Sequence, residues 1–267
     1  MPVAALGLAL GAAFLHAVWN LLLRDTRDPE AATAVAVVAF VLALTPVAAV
    51  TWDVETSVWR YVLPSGLLEL AYVALLAAAY RRFELSVVYP VARGLAPVAA
   101  LVISVAAVRA DLSAAEVVGV LVVAGGVLLV RGARGRHGVA LGLLIASVIG
   151  GYTVVDRYGI RHADAPSYAL LVMVASAVVY PPFVGARRVR AALSPKTTAV
   201  GVLSALAYLL VLLALRHASA PAVAAVRETG VVIATALAAV FLRERVTRAR
   251  LAGAVVVAAG VALLALA

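Results

Sequence analysis

Residues 85–108 read LSVVYPVARGLAPVAALVISVAAV. The stretch is apolar and long enough to cross a bilayer, which takes about 20 residues of helix. It nevertheless carries Arg93 near its middle and two prolines, Pro90 and Pro97. A charge at the centre of a membrane helix costs about 2.5–3.5 kcal/mol on insertion scales. Proline removes a backbone donor and bends the helix. Backbone groups freed within lipid are tolerated only against protein or a wet cavity. The segment therefore reads as the lining of something polar. It also has a copy: shifted by 134 residues it lies on residues 219–242, SAPAVAAVRETGVVIATALAAVFL, with Arg93 on Arg227 and no gap.

The composition around this pair is that of an integral membrane protein. Of 267 residues, 66% are hydrophobic and 13% charged, with a mean hydropathy of +1.11. Soluble domains are about 45–50% apolar. There is no cysteine, which excludes disulfides and thiolate metal sites. The net charge of +9 does not point to nucleic acid, because the basic residues sit in short loops between apolar runs. The opening MPVAALGLALG has no basic n-region, so no cleavable signal is expected.

Apolar runs predict ten spans at roughly 3–23, 31–51, 60–80, 85–108, 113–130, 138–157, 166–185, 199–215, 219–242 and 248–267. Asp28-Pro29-Glu30 and Asp164-Ala165-Pro166 are helix-start signals, with Asp at an N-cap and Pro in the first turn. The 134-residue offset also matches Arg109 with Arg243, Gly119 with Gly253 and Gly126 with Gly260. These matches divide the chain into two five-helix halves, 1–131 and 138–267, joined by a linker at 132–137. Five is odd, so the second half enters from the opposite face. The expected fold is all-α, ten transmembrane helices as two inverted five-helix repeats, the plan of many secondary transporters. Fifteen Lys and Arg fall on the face that carries the loop Arg131–His137, and five on the other. The positive-inside rule then places both termini outside.

Polar residues within the spans are the candidate site. His16, Trp19 and Asn20 share one face of the first span, reading either as a cavity wall or as an interfacial anchor. Glu69 and Tyr72 lie in the third span. A carboxylate at the depth of Glu69 needs a raised pKa or a cationic partner, and reads either as a fixed pair with Arg93 or as a proton-coupling group. Tyr89, Arg93 and Pro97 follow one face of the fourth span, and Arg227 and Glu228 form the matching feature in the ninth. Tyr152 and Asp156 sit at i, i+4 in the sixth span; Asp156, next to Arg157, reads as interfacial or as part of the site. Tyr208 reads as ordinary helix packing. The expected substrate-binding residues are therefore His16, Trp19, Asn20, Tyr72, Tyr89, Arg93, Tyr152 and Arg227. Glu69, Glu228 and Asp156 are assigned to coupling or ion pairing. Gly7/Gly11, Gly119/Gly126 and Gly253/Gly260 have the spacing of close helix contacts, within the chain or in a homodimer. No HExxH, GxSxG or P-loop pattern is present, and the sequence calls for no cofactor, no metal and no catalytic residue.

His16-Ala-Val-Trp-Asn20, Tyr89-Pro-Val-Ala-Arg93-Gly-Leu-Ala-Pro97, Arg227-Glu228 and the closing FLRERVTRARLAGAVVVAAGV (241–261) together resemble the EamA-type family of the drug/metabolite transporter superfamily. The resemblance covers the whole chain. It implies ten helices around a central cavity, with spans five and ten outside the substrate path, in a bacterial or archaeal inner membrane. It also implies cytoplasmic termini, against the charge count. The function expected is secondary transport of a small polar or anionic organic metabolite, amino acid-like or an organic acid, by export or exchange. A flippase for a lipid-linked head group and a membrane-embedded enzyme are the alternatives. The partners expected are the small-molecule substrate and the bilayer.

Overall fold

The structure is a computed structural model that describes residues 1–24, 26–82, 85–131, 138–233, 236 and 247–267. Side chains at 24, 77–78, 80–82, 85–87, 89–90 and 131 are outside that description. The linker 132–137, most of the second part of the ninth predicted span and Arg243 also lie outside the described residues.

The chain is helical, with no strand among the described residues. In order it forms α1 (Val3–Arg24), α2 (Pro29–Thr51), a 3-10 turn (Thr56–Val58), α3 (Trp59–Arg82), α4 (Leu85–Val108) and α5 (Ala114–Arg131). The second half forms α6 (Val139–Gly159), α7 (Ala165–Val184), a short α8 (Ala186–Ala192), α9 (Pro195–His217), α10 (Ala220–Arg227) and a final α11 (Arg248–Leu266). Seven of the described helices are long and apolar enough to cross a membrane, and a shorter apolar helix covers Ala114–Val130. The caps explain several boundaries. The Asp28 carboxylate accepts the Ala31 N–H and that of Asp164 accepts the Ser167 N–H, each ahead of a first-turn proline. Ser194 and Thr197 form a capping box, which starts α9 four residues before the apolar run does. The 3-10 turn and α8 were not anticipated, because neither carries an apolar periodicity.

The helices pack with the symmetry of the repeat. With α6, α7, α9, α10 and α11 as counterparts of α1 to α5, the principal contacts between halves recur when the halves are exchanged. Helix α1 packs on α9, and α6 on α3. Helix α2 packs on α9, and α7 on α3. Helix α4 packs on α6, and α10 on α1, while α2–α7, α4–α10 and α5–α11 are each a pair of counterparts.

The α5–α11 pair settles where the spaced glycines act. A Cβ on Gly253 would stand 2.6 Å from the Val130 nitrogen and 2.7 Å from the Gly126 oxygen. One on Gly126 would stand 2.8 Å from the Val257 nitrogen and 2.9 Å from the Gly253 oxygen. Gly119 and Gly260 oppose each other in the same way. These glycines let two backbones of one chain approach closely. Gly7 differs, with nothing within 4 Å of its would-be Cβ.

Each face of the bundle is tied across the halves. On the face with few basic residues, Asp164 Oδ1 accepts from the Thr51 hydroxyl at 3.0 Å and Oδ2 from the Asp53 N–H at 3.0 Å. Val54 and Ala163 form an antiparallel bridge there, and the His162 ring stacks on Tyr61. On the basic face, Arg188 donates through Nε and Nη2 to both oxygens of Asp28, each at 2.8 Å, and through Nη2 to Glu30 at 2.9 Å.

Candidate substrate site

Five ionisable side chains meet in the interior: Glu69 (7% exposed), Arg93 (7%), Asp156 (1%), Arg227 (2%) and Glu228 (0%). They come from α3, α4, α6 and the end of α10. Bringing them together is the work of the cross-half packing of α3 on α6, α4 on α6 and α4 on α10.

Arg93 pairs with Glu228. Its Nε donates to Oε2 at 3.2 Å and its Nη2 lies 3.0 Å from Oε1. The alternative partner expected for Arg93, Glu69, is not in contact with it. The pair joins the two halves through their matched segments by one charge-assisted hydrogen bond, while the buried Glu228 Oε1, close to the guanidinium, accepts no hydrogen bond among the described residues. Successive residues of a helix point about 100° apart. Glu228 therefore serves Arg93 on α4 while its neighbour Arg227 projects elsewhere. Helix α10 ends at this point. The Glu228 N–H donates to Ala225 O at 3.0 Å, and the Val231 N–H to Glu228 O at 3.0 Å. The helix thus tightens to i, i−3 bonding at the pair before helical backbone resumes, and such interrupted helices line transporter sites. By contrast α4 is continuous through Pro90 and Pro97.

Arg227 is also unsatisfied. Its Nε and Nη2 are buried and have no hydrogen-bond partner among the described residues. Arginine does not shed its proton to escape this. Glu69 and Asp156 lie within electrostatic range of its charge. The Glu69 carboxylate likewise makes no hydrogen bond among the described residues.

Asp156 is buried in the protein and well partnered. Its Oδ1 accepts from Ser65 at 2.5 Å and Tyr168 at 3.0 Å, and its Oδ2 from Tyr208 at 2.6 Å. These donors come from α3, α7 and α9, so one carboxylate ties four helices. The reading of Tyr208 as ordinary packing is corrected here, since its hydroxyl has a buried anion to serve. Ser65 and Tyr168 were not singled out from the sequence. The available signal was position: Ser65 precedes Glu69 by one turn on the same face of α3.

Tyr152 stands within electrostatic range of Glu69, Arg227, Arg93 and Asp156 together. Its ring meets that of Tyr72 edge-on, with centroids 6.3 Å apart. Tyr72 and Arg93 also line a narrow cleft of about 10 Å³, whose other walls are Leu76, Val88, Ala92, Ile145 and Ile149. His16 lies close enough to Arg227 and Arg93 to feel both charges, and its Nδ1 is 3.0 Å from Ala12 O. Trp19 meets the His16 ring at 5.4 Å but packs against the cluster of Leu23, Ala32, Ala36 and Val200. Its buried indole nitrogen has no partner among the described residues. The Asn20 amide donates to His16 O at 2.6 Å. The side chain of Tyr89 lies outside the described residues. No group of three or more His, Cys, Asp or Glu that could hold a metal occurs among the described residues.

No curated protein matches the chain. A solved crystal structure superposes on it with a TM-score of 0.79, covering 100% of this chain and 98% of its own at 17% identity. At that identity the likeness is one of fold. The model of the EamA-like transporter family matches residues 3–132 and again residues 136–266. The chain therefore belongs to the EamA-like transporter family of the drug/metabolite transporter superfamily, and is a multi-pass membrane transporter rather than a member of an enzyme family.

Proposed function

We propose that this transporter moves a small polar or anionic organic metabolite, an organic acid or an amino acid-like molecule, by alternating access in export or exchange. In this reading ten spans form two inverted repeats, 1–131 and 138–267, in a cell membrane. The observation that carries it is Arg227, a buried guanidinium with two nitrogens unbonded among the described residues. A buried cation without partners is unfavourable by several kcal/mol, and a guanidinium suits two-point contact with carboxylate or phosphate. An anionic group on the substrate would supply those contacts. Tyr72 and Arg93 line a narrow cleft, His16 and Tyr152 lie within electrostatic range of Arg227, and no nucleotide-binding motif argues for direct use of ATP.

The test is a thermal-shift and binding panel of carboxylates, amino acids and phosphate esters on the purified protein, because a ligand of the folded state raises its apparent stability. Arg227→Lys keeps the charge and loses the planar fork. It should fold as wild type and bind the best ligand at least about tenfold more weakly. Unchanged affinity in this variant sinks the reading.

A further inference from the structure

The connection between α7 and α9 differs in charge from its counterpart in the first half. At the 134-residue offset, α8 (Ala186–Ala192) falls on residues 52–58, which join α2 to α3. Residues 52–58 carry Asp53 and Glu55 and no basic residue, whereas α8 carries Arg187, Arg188 and Arg190 and no acidic one. Equivalent places on the two faces thus bear opposite charge. Gly185 makes the turn into α8. Its φ of 97° lies where only glycine is unstrained, so the chain leaves α7 sharply and starts a helix of 7 residues, too short to cross a bilayer. No residue of α8 is buried, and it packs on α2 and α7. Val189 faces the protein core, and Arg188 turns to Asp28 and Glu30. Successive helical residues point about 100° apart, so Arg187 and Arg190, at i and i+3, share the face left over. Both are exposed, and neither makes a hydrogen bond or ion pair among the described residues. Asp28 and Glu30, the carboxylates that α8 reaches, are taken by Arg188. Large apolar side chains stand exposed on both flanks, Phe183 at 84% and Leu193 at 66%. A short basic helix bracketed by exposed apolar side chains has the composition of one that lies in the membrane interface.

We propose that α8 is a binding site for the head group of an anionic phospholipid in the leaflet on the basic face. Arg187 and Arg190 donate to the lipid phosphate, which a guanidinium meets at two points. Phe183 and Leu193 enter the acyl region beside it. The charge count makes this leaflet the cytoplasmic one, and its anionic lipids attract basic segments next to the membrane. The acidic connection at 52–58 would repel the same lipids on the other face. A lipid held at α8 also steadies the helix that carries Arg188, and with it the contact of Arg188 with Asp28 and Glu30. Binding of this kind stabilises the folded protein by mass action.

The test is the melting temperature of the full chain in a neutral detergent, with phosphatidylglycerol or with phosphatidylcholine of the same acyl chains added. Phosphatidylglycerol should raise it above the value in phosphatidylcholine. The double variant Arg187→Gln/Arg190→Gln should lose most of that difference. Arg248→Gln/Arg250→Gln removes as much charge from the start of α11 and should keep it. Phe183→Ser should weaken stabilisation by both lipids and leave the preference for phosphatidylglycerol. If wild type shows no difference between the two lipids, the proposal is overturned. Equal losses in the two double variants would overturn it too, because the effect would then be one of net charge. Glycerol 3-phosphate is the soluble control. If it alone reproduces the shift in wild type and loses it in Arg187→Gln/Arg190→Gln, the site takes free phosphate esters and the lipid assignment fails. Should the α8 double variant not fold, Arg187→Gln and Arg190→Gln singly must each lose part of the difference, and full retention in both overturns the proposal.

Discussion

Asp28 and Asp164 hold equivalent places in the two halves and do the same two things. Each caps its own helix, α2 or α7, and each grips the segment that follows the C-terminus of the other's helix. Asp164 holds Thr51 at the end of α2 and Asp53 just beyond it, and Asp28 holds Arg188 beyond α7. Since α2 and α7 are packed against each other, the pair closes one contact at both of its ends.

Substitution should separate the two roles at Asp28. Asp28→Asn keeps a capping oxygen and loses the charge. The Arg188 pair is 46% and 35% exposed, so its loss should cost no more than about 1 kcal/mol. Asp28→Ala also loses the cap, typically a further ~1 kcal/mol. Thermal unfolding in a fixed detergent should rank wild type, Asn and Ala in that order. Equal losses in the two variants would mean that the cap contributes nothing.

Acid should loosen both clasps. The Arg188 guanidinium holds the Asp28 carboxyl below its ordinary value of 3.8. For Asp164, burial pushes the carboxyl up, but hydrogen bonds from Ser167, the Asp53 N–H and Thr51 outweigh it and leave it lowered too. A group whose folded value is depressed stabilises the fold above its unfolded value and loses that contribution as pH falls through the folded one. The melting temperature should therefore be insensitive to these groups above about pH 5 and fall below about pH 4. Arg188→Gln should flatten the part of that fall due to Asp28.

The glycines give a position-dependent result from one substitution. Gly253→Ala drives a methyl against the Val130 nitrogen and the Gly126 oxygen, both backbone atoms that cannot turn aside. Overpacking of this kind costs about 1–3 kcal/mol. Gly7→Ala meets nothing and gains helix propensity, about 0.5–1 kcal/mol. Melting temperatures of the two variants should move in opposite directions. A lowered value for Gly7→Ala would point to a contact between two copies of the chain.

Two buried anions should respond differently to losing a partner. Tyr208→Phe removes one of three donors to Asp156 and should cost about 1.5–3 kcal/mol, the worth of a hydrogen bond to a charge. Glu228→Gln strips Arg93 of its counter-ion, and breaking a buried pair on one side costs about 3–5 kcal/mol. Chemical or thermal unfolding of the two variants should show the larger loss for Glu228→Gln. The reverse order would mean that Arg93 finds another anion.

Much of the fold was legible in the chain. Span positions follow from the length of apolar runs, because a bilayer fixes how many apolar residues a helix needs. The cap residues at Asp28 and Asp164 follow from local chemistry, and the α5–α11 glycines from their repetition at a fixed offset. The site was legible as a set of residues and not as a set of bonds. Glu69, Arg93, Asp156, Arg227 and Glu228 stand out because charge is rare in a span, but their pairing depends on which helices meet.

The sequence by itself determined that this is a helical membrane protein made of two like halves, with a charged interior whose members can be named. Hydrophobic length and repetition are properties of the chain alone, and they need no partner to be read. Only the tertiary structure decided that Arg93 takes Glu228 and that Asp156 takes Ser65, Tyr168 and Tyr208. Only it decided that Arg227 is buried with two guanidinium nitrogens unbonded among the described residues. Those outcomes depend on the rotation and approach of helices far apart in sequence, set by packing between the halves, and a hydrogen bond tolerates only a few tenths of an ångström of error in that approach.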